Sequence, residues 1–402
     1  MSFDFLEAIL AAAENCRAPV ILSLAESRFD HHDFADRSEV RGAGQGGPGG
    51  DFELVMAATE KAARRATVPV AIHLDRGASL DSAVRAINLG CNGVMVDASH
   101  ESFPANVAHT RRVVEMAHAC GATVEGELGN PAGADGEDAV RYAGEAPCTS
   151  VEEAKAFVQR TGVDCLAVSI GTVLGRLRGR PKLDIERLKR INEAVKVPLV
   201  IHGGTGLTDE QFHKLVTNGV AKINCYTALA DAAGDRLRAN ARADARRGYA
   251  GLVQGVQDAI RTEAERCLHR WGSAGRAAEV LVQCRAWQPV EHVIVYNVEG
   301  ADDAKVAAMM ARGRETLSRI PGVRRVFTGW AVQQSPKFRC CWLVEFVHEK
   351  VIESYRDHPD HTAFANQLFR PIAGDRIGID FVETPRLPQA KAANGAPRVR
   401  VG

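Results

Sequence analysis

Val68-Pro69-Val70-Ala71-Ile72-His73-Leu74-Asp75-Arg76-Gly77 is an apolar run that ends in an imidazole, a carboxylate and a guanidinium. A strand buried on both faces reads this way, as a short run of branched residues with polar chemistry at its carboxyl end. The same punctuation recurs at Val20–Leu24, Gly93–Asp97, Thr123–Glu127, Cys165–Ser169, Leu199–His202 and Lys222–Cys225. Between these runs lie the amphipathic stretches Ser79–Leu89, Ala105–Ala119, Val151–Arg160, Asp184–Val195 and Asp209–Thr217. The alternation predicts parallel βαβ units. Asp75, Asp97, Glu127, Gly171-Thr172, His202 and Asn224 all sit at strand ends, so a (β/α)8 TIM-type barrel would gather them at one mouth. Seven barrel strands can be counted, and the helix-like segment Phe5–Asn15 stands where a first strand is due. The expectation is therefore a barrel whose first strand is missing, with a true start upstream of Met1.

Fifty basic and fifty acidic residues cancel, so no net positive field is available to hold nucleic acid or an anionic membrane. Any recognition of phosphate has to be local. No apolar run reaches the roughly 18–20 residues that span a bilayer. The ten cysteines show no C-x-x-C pairs and no framework spacing, and adjacent Cys340-Cys341 read as reduced core residues. Together these point to the cytoplasm. Residues 29–51, with His31-His32 and Gly42-Ala43-Gly44-Gln45-Gly46-Gly47, read as a polar loop at the barrel mouth: no strand precedes the glycines, as dinucleotide binding would require.

Residues 229–288 are helical and charge-rich and read as the last barrel helices plus a connector. A second pattern starts near Val290. Glu291–Val298 and Trp342–Phe346 read as strands, Ala304–Ser318 as a helix and Ile377–Val382 as a closing strand. Tyr355-Arg356-Asp357-His358-Pro359-Asp360-His361 lies between them. Residues 289–385 resemble the stress-responsive α/β barrel (Dabb) family, which implies a small α+β ferredoxin-like domain that dimerises through its sheet. Tyr355, His358 and His361 form either an acid–base group or a helix start at a dimer edge. Residues 386–402 are rich in Pro, Ala, Gly and Arg and read as disordered.

Across residues 5–228 the blocks His73–Gly77, Val94–Ser99, Val124–Gly129, Thr161–Gly175, His202–Gly206 and Lys222–Asn224, in this order, resemble the class II ketose-bisphosphate aldolases. That resemblance implies a lyase acting on a phosphorylated ketose or related sugar. It places the catalytic aspartate at Asp75, the phosphate site at Gly175, Gly203, Thr205 and Thr227, and the contact to the ketone-side oxygens at Asn224. Glu137 is the nearest match to a mobile-loop glutamate that assists proton transfer. The family's three zinc histidines fall on Arg76, Leu174 and His202, so one of three is retained.

Neither leucine nor a guanidinium ligates zinc. At an effective dielectric of about 20, a divalent ion roughly 5 Å from Arg76 would meet roughly 6–7 kcal/mol of repulsion. Three readings follow. Arg76 replaces the metal, or a divalent cation moves to His202 with Asp97 and Glu127, helped by His31, His32 or His100, or Lys222 forms a Schiff base. His73 reads as a core histidine, and His109 and His118 as surface or packing residues. Beside the lyase stand two further functions: a noncatalytic phosphosugar sensor, and an isomerase or epimerase that stops at the enediolate. The partners implied are a phosphorylated sugar and a second copy of the chain.

Overall fold

The computed structural model describes residues 2–26, 50–129, 140–142, 148–172, 176–178, 182–244 and 246–383. Seven strands form one parallel sheet: β1 (Val20–Ala25), β2 (Val70–Gly77), β3 (Gly93–Val96), β4 (Thr123–Leu128), β6 (Cys165–Val168), β8 (Leu199–His202) and β9 (Val220–Asn224). A short parallel pair, β5 (Val140–Tyr142) and β7 (Arg176–Arg178), stands apart from it. Neighbours in the large sheet follow chain order, and helices occupy the crossovers, so the sheet curls into a nearly closed barrel. Its two edge strands are β1 and β9. All seven strands read from the sequence are present, and the first stands at one edge.

The period-2 alternation of each strand decides what faces outward. In β2, Ile72 and Leu74 point to the helices and are buried, while His73 and Asp75 point inward. In β4 the outward position is Gly126, where an added Cβ would come within 2.6 Å of Phe157. That close helix contact leaves Glu125 and Glu127 on the inner side. The helices start where side chains satisfy their orphan N–H groups. Ser150 with Glu153 and Thr208 with Gln211 form capping boxes at the helices Val151–Thr161 and Asp209–Thr217.

The second domain has strands β10 (Val290–Val298), β11 (Val323–Trp330), β12 (Cys340–Phe346) and β13 (Ala373–Val382) in the order β11-β12-β10-β13. With the helix Asp303–Leu317 after β10 and two short helices after β12, this is the β-α-β-β-α-β ferredoxin-like arrangement. It docks on the barrel's helical layer. Asn88 accepts from Gly322 N at 2.7 Å and donates to Ile320 O at 3.2 Å, and Arg324 clasps Glu60. Gly322, at φ +82°, approaches Val351 so closely that a Cβ would lie 2.4 Å from its methyl group. β11 was not read from the sequence, because Arg324-Arg325 breaks its apolar alternation.

Candidate active site

β2 does not end cleanly. Its register with β3 shifts between Leu74 and Gly77, and Arg76 there has φ +52°, in the left-handed region that side chains avoid. Such a conformation costs about 1–3 kcal/mol and persists only where its surroundings hold it. A bulge of this kind re-aims a side chain. Here it turns the guanidinium into the barrel, where Nη1 lies 3.0 Å from Asp97 Oδ2 and Nη2 lies 3.1 Å from Glu127 Oε2.

These pairs belong to a chain of alternating charge that crosses the barrel interior. Lys222 Nζ meets Glu125 Oε2 at 2.6 Å, and Glu125 Oε1 meets His202 Nε2 at 2.7 Å. His202 Nδ1 stands 3.2 Å from Glu127 Oε1, poorly aligned for a hydrogen bond, and Glu127 passes the chain to Arg76 and Asp97. Asp97 also accepts from Ser99 N and Oγ, at 3.0 and 2.6 Å. Burial opposes a charge on His202, but the Glu127 charge and the hydrogen bond to Glu125 outweigh it and hold its pKa at about 10. Three cations, Lys222, His202 and Arg76, thus face three carboxylates, Glu125, Glu127 and Asp97. His73 lies 3.6 Å from Glu125 and is kept neutral, its pKa pushed down to about 4 by burial and by the nearby Lys222 charge.

This chemistry does not fit zinc. The oxygens of Asp97 and Glu127 are already bound to a guanidinium, and both ring nitrogens of His202 face carboxylates, Nε2 at 2.7 Å from Glu125 and Nδ1 at 3.2 Å from Glu127. Among the described residues no group of three His, Cys, Asp or Glu side chains is arranged to hold a metal ion. His202, Asp97 and Glu127, the expected relocated cation set, do come together, but around Arg76. His100 is exposed, and His31, His32 and Leu174 lie outside the described residues. Lys222, the Schiff-base candidate, meets Glu125 Oε2 at 2.6 Å and Asn224 Oδ1 at 2.7 Å.

A cavity of about 710 Å³ opens beside this chain and runs along the gap between β1 and β9, past Phe5, Ile9 and Val20. Asp75 and Arg76 form part of its wall. Gly203, Thr205, Asn224 and Thr227 also line it, so four of the five residues expected to bind substrate or phosphate share one space. Gly203, at φ +78°, turns the chain sharply out of β8. Thr227 opens the helix Thr227–Ala243, and Tyr226, Thr227 and Ala228 line the cavity, so the positive helix end lies at its wall. Asn224 accepts from Lys222 Nζ at 2.7 Å. Gly175 and Glu137 lie outside the described residues.

Asp75 Oδ1 is buried and makes no hydrogen bond among the described residues. A carboxylate oxygen left unpaired in a cavity wall is free to take a substrate proton. The hub of the site, Glu125, was missed in the sequence. Its signal was present: Glu125 and Glu127 are two apart on one strand and so share the inner side.

Residues 1–276 match the family model described as fructose-bisphosphate aldolase class-II, and residues 290–383 match that of the stress responsive A/B barrel domain. A probable fructose-bisphosphate aldolase of Bacillus subtilis (strain 168) is 39% identical over 231 residues, covering 56% of this chain and 73% of that protein. The fructose-bisphosphate aldolase of Thermus caldophilus is 37% identical over 303 residues, 69% of this chain and 92% of that one. Among solved structures, the YdjI aldolase from Escherichia coli K12 superposes with a TM-score of 0.55 at 31% identity, over 68% of this chain and 89% of its own. A putative fructose-1,6-biphosphate aldolase from Coccidioides immitis gives 0.58 at 30% identity, over 69% and 91%.

Proposed function

We propose, since the chain belongs to the class-II fructose-bisphosphate aldolase family, a division of labour for its barrel in which Asp75 moves the proton and Arg76 supplies the fixed cation. The chain is an aldolase-like lyase acting on a phosphorylated ketose or a related sugar. In the cleavage direction Asp75 removes the proton from the hydroxyl on the carbon β to the ketone, the far carbon of the bond to be broken. That oxygen becomes an aldehyde carbonyl, the carbon–carbon bond breaks, and its electron pair moves toward the ketone to leave an enediolate. The Arg76 charge, locked by Asp97 and Glu127 beside the cavity, lowers the energy of that negative charge. Gly203, Thr205 and Thr227, with Gly175, hold the phosphate, and Asn224 holds the ketone-side oxygens; Glu137 assists the return of the proton.

Asp75 Oδ1, which has no hydrogen-bond partner among the described residues and lies at a cavity shared with the phosphate-site residues, carries this reading. The test is cleavage of fructose 1,6-bisphosphate and tagatose 1,6-bisphosphate by protein purified without added metal and treated with chelator. Cleavage that survives chelation supports Arg76 as the cation, and cleavage restored only by zinc overturns it. Exchange of the α-proton without cleavage would reassign the protein to the isomerase class. Tight binding with neither would make it a sensor.

The same reading keeps residues 229–288 with the barrel and places the protein in the cytoplasm. All ten cysteines are free thiols, which supports a reducing compartment, and no described helix is long and apolar enough to cross a membrane. For the second domain we infer self-association through the outer sheet face. Phe327, Leu343, Val293 and Ile379 form one row across the four strands, and Phe327 and Ile379 are 45% and 47% exposed. An apolar face that repeats on an identical chain can bury itself about a two-fold axis. Light scattering of Ile379→Lys should give half the mass of the parent protein; equal masses would refute the dimer.

A further inference from the structure

The substrate cavity does not end at Asp75. It continues along the open seam between the edge strands β1 and β9, and there its walls turn apolar. In β1, Leu22 and Leu24 are buried against the helices, so the alternation turns Ile21, Ser23 and Ala25 inward. Ala25 is the register partner of Asp75, which sets the head of this row beside the carboxylate. Ile21 stands at its foot, lining the cavity with 43% of its surface exposed. The helix Phe3–Cys16 adds Ile9 and Phe5, and the Phe5 ring stacks on Tyr226 with centroids 5.7 Å apart. Apolar surface left open in a barrel wall gains free energy when an apolar group covers it.

Charge sharpens what the seam can hold. The arginines that reach its wall are already matched, Arg266 by Glu263 and Arg270 by Asp209, and Lys222 is held by Glu125. On the β9 side, the helix Thr227–Ala243 presents Asp231 and Asp235, about one and two turns on from Thr227. A phosphate placed there would give up its water to face carboxylates. The strand ends that carry Gly203, Thr205 and Thr227 suit an anion, and the seam suits an uncharged apolar group.

We propose that the seam is the aldehyde pocket of the lyase, and that it takes an uncharged aldehyde with an alkyl chain in preference to a phosphorylated one. This rests on the lyase reading of the barrel and specifies its substrate as a ketose monophosphate with an apolar far end. In the condensation direction the enediolate carbon bonds to the aldehyde carbon, the carbonyl π pair moves onto oxygen, and that oxygen takes a proton from Asp75. The donor carbon loses one proton and the new hydroxyl gains one, so the step balances. An aldehyde whose oxygen sits at Asp75 has its chain beside Ala25, with Ser23 and Ile21 next along the row. Ile21 is the specificity-determining residue, because it covers that chain.

The test is condensation of dihydroxyacetone phosphate with propanal, butanal, pentanal and hexanal, set against glyceraldehyde 3-phosphate, by the full chain. For each methylene that the seam buries, kcat/KM should rise about fourfold, and hexanal should exceed glyceraldehyde 3-phosphate by about tenfold or more. Ile21→Asn should flatten the series and leave propanal within about twofold of the parent. If that variant fails to fold, the chain-length series on the unaltered protein decides the matter. A kcat/KM that does not rise with chain length, or that is highest for glyceraldehyde 3-phosphate, overturns the proposal and leaves the lyase reading standing. Condensation with none of the aldehydes defeats the lyase reading itself, and the proposal with it.

Discussion

Arg76 Nη1 donates to Asp97 Oδ2 at 3.0 Å, from a backbone held at φ +52°. The bond joins the end of β2 to the end of β3 and places a permanent positive charge in the wall of the substrate cavity.

Removing that charge should be costly twice over. Arg76→Ala leaves Asp97 and Glu127 facing each other without their cation, and breaking a buried pair of this kind costs about 3–5 kcal/mol. Relief of the positive φ offsets little of it, since alanine is strained there too. Arg76→Lys keeps the charge but cannot bridge both carboxylates with one ammonium. Denaturant midpoints should fall in the order parent, Lys, Ala, and turnover should fall with them. Full turnover in Arg76→Ala would show that the guanidinium has no part in the reaction.

Asp75 should behave in the opposite way. Its Oδ1 has no hydrogen-bond partner among the described residues, so Asp75→Asn removes little that holds the fold. Loss of a general base lowers turnover by about 10²–10⁴. A steady-state assay should therefore show a collapse in kcat, with KM and the melting temperature nearly unchanged.

Thr205 should separate recognition from chemistry. Thr205→Val keeps the shape of the turn after Gly203 but removes a hydroxyl from the cavity wall. A hydrogen bond to a charged group is worth about 1.5–3 kcal/mol, so affinity for phosphorylated sugars should fall about 10- to 150-fold. Inorganic phosphate should weaken as an inhibitor in parallel. A KM equal to the parent's would remove Thr205 from the phosphate site.

Much of this site was legible before any coordinates. The barrel strands declare themselves because parallel strands, covered on both faces, are continuous apolar runs, and Asp75, Gly203, Thr205 and Thr227 follow from motif blocks at their ends. The pairing of Arg76 with Glu127 was not legible, because it depends on a bulge and on contacts across three strands. The contact of His292 with Asp380 was not legible for a similar reason. The two are 88 residues apart, and only the antiparallel register of β10 and β13 brings them together.

The two domains should unfold less cooperatively when Arg324 is lost. Its guanidinium clasps Glu60, which also holds Arg64, and the pair is mostly buried, with side chains 22% and 15% exposed. Truncating a bidentate pair at that depth costs about 1–3 kcal/mol, charged to the interface and not to either core. Arg324→Ala should therefore broaden or split the thermal transition seen by calorimetry. A single transition with the parent's width would mean that Asn88 and the apolar contacts couple the domains without the ion pair.

Stability should peak near pH 6.5, because two histidines in one barrel are shifted in opposite directions. His73 is held neutral, with its pKa lowered from 6.5 to about 4 by burial and by Lys222. Below about pH 6.5 the unfolded chain takes a proton that the folded chain refuses, so this contribution is complete above that pH and drains away as pH falls toward 4. His202 is raised to about 10, with burial overcome by Glu127 and Glu125. Its contribution is complete below about pH 6.5 and is lost as pH rises through 10. Each limb amounts to at most a few kcal/mol, since one pKa unit is about 1.4 kcal/mol and the two rings share Glu125. Urea midpoints measured from pH 4 to 10 should trace the dome. His73→Asn, which has nothing to titrate, should flatten only the acid limb, and an unchanged acid limb in that variant would show that His73 is not the group responsible.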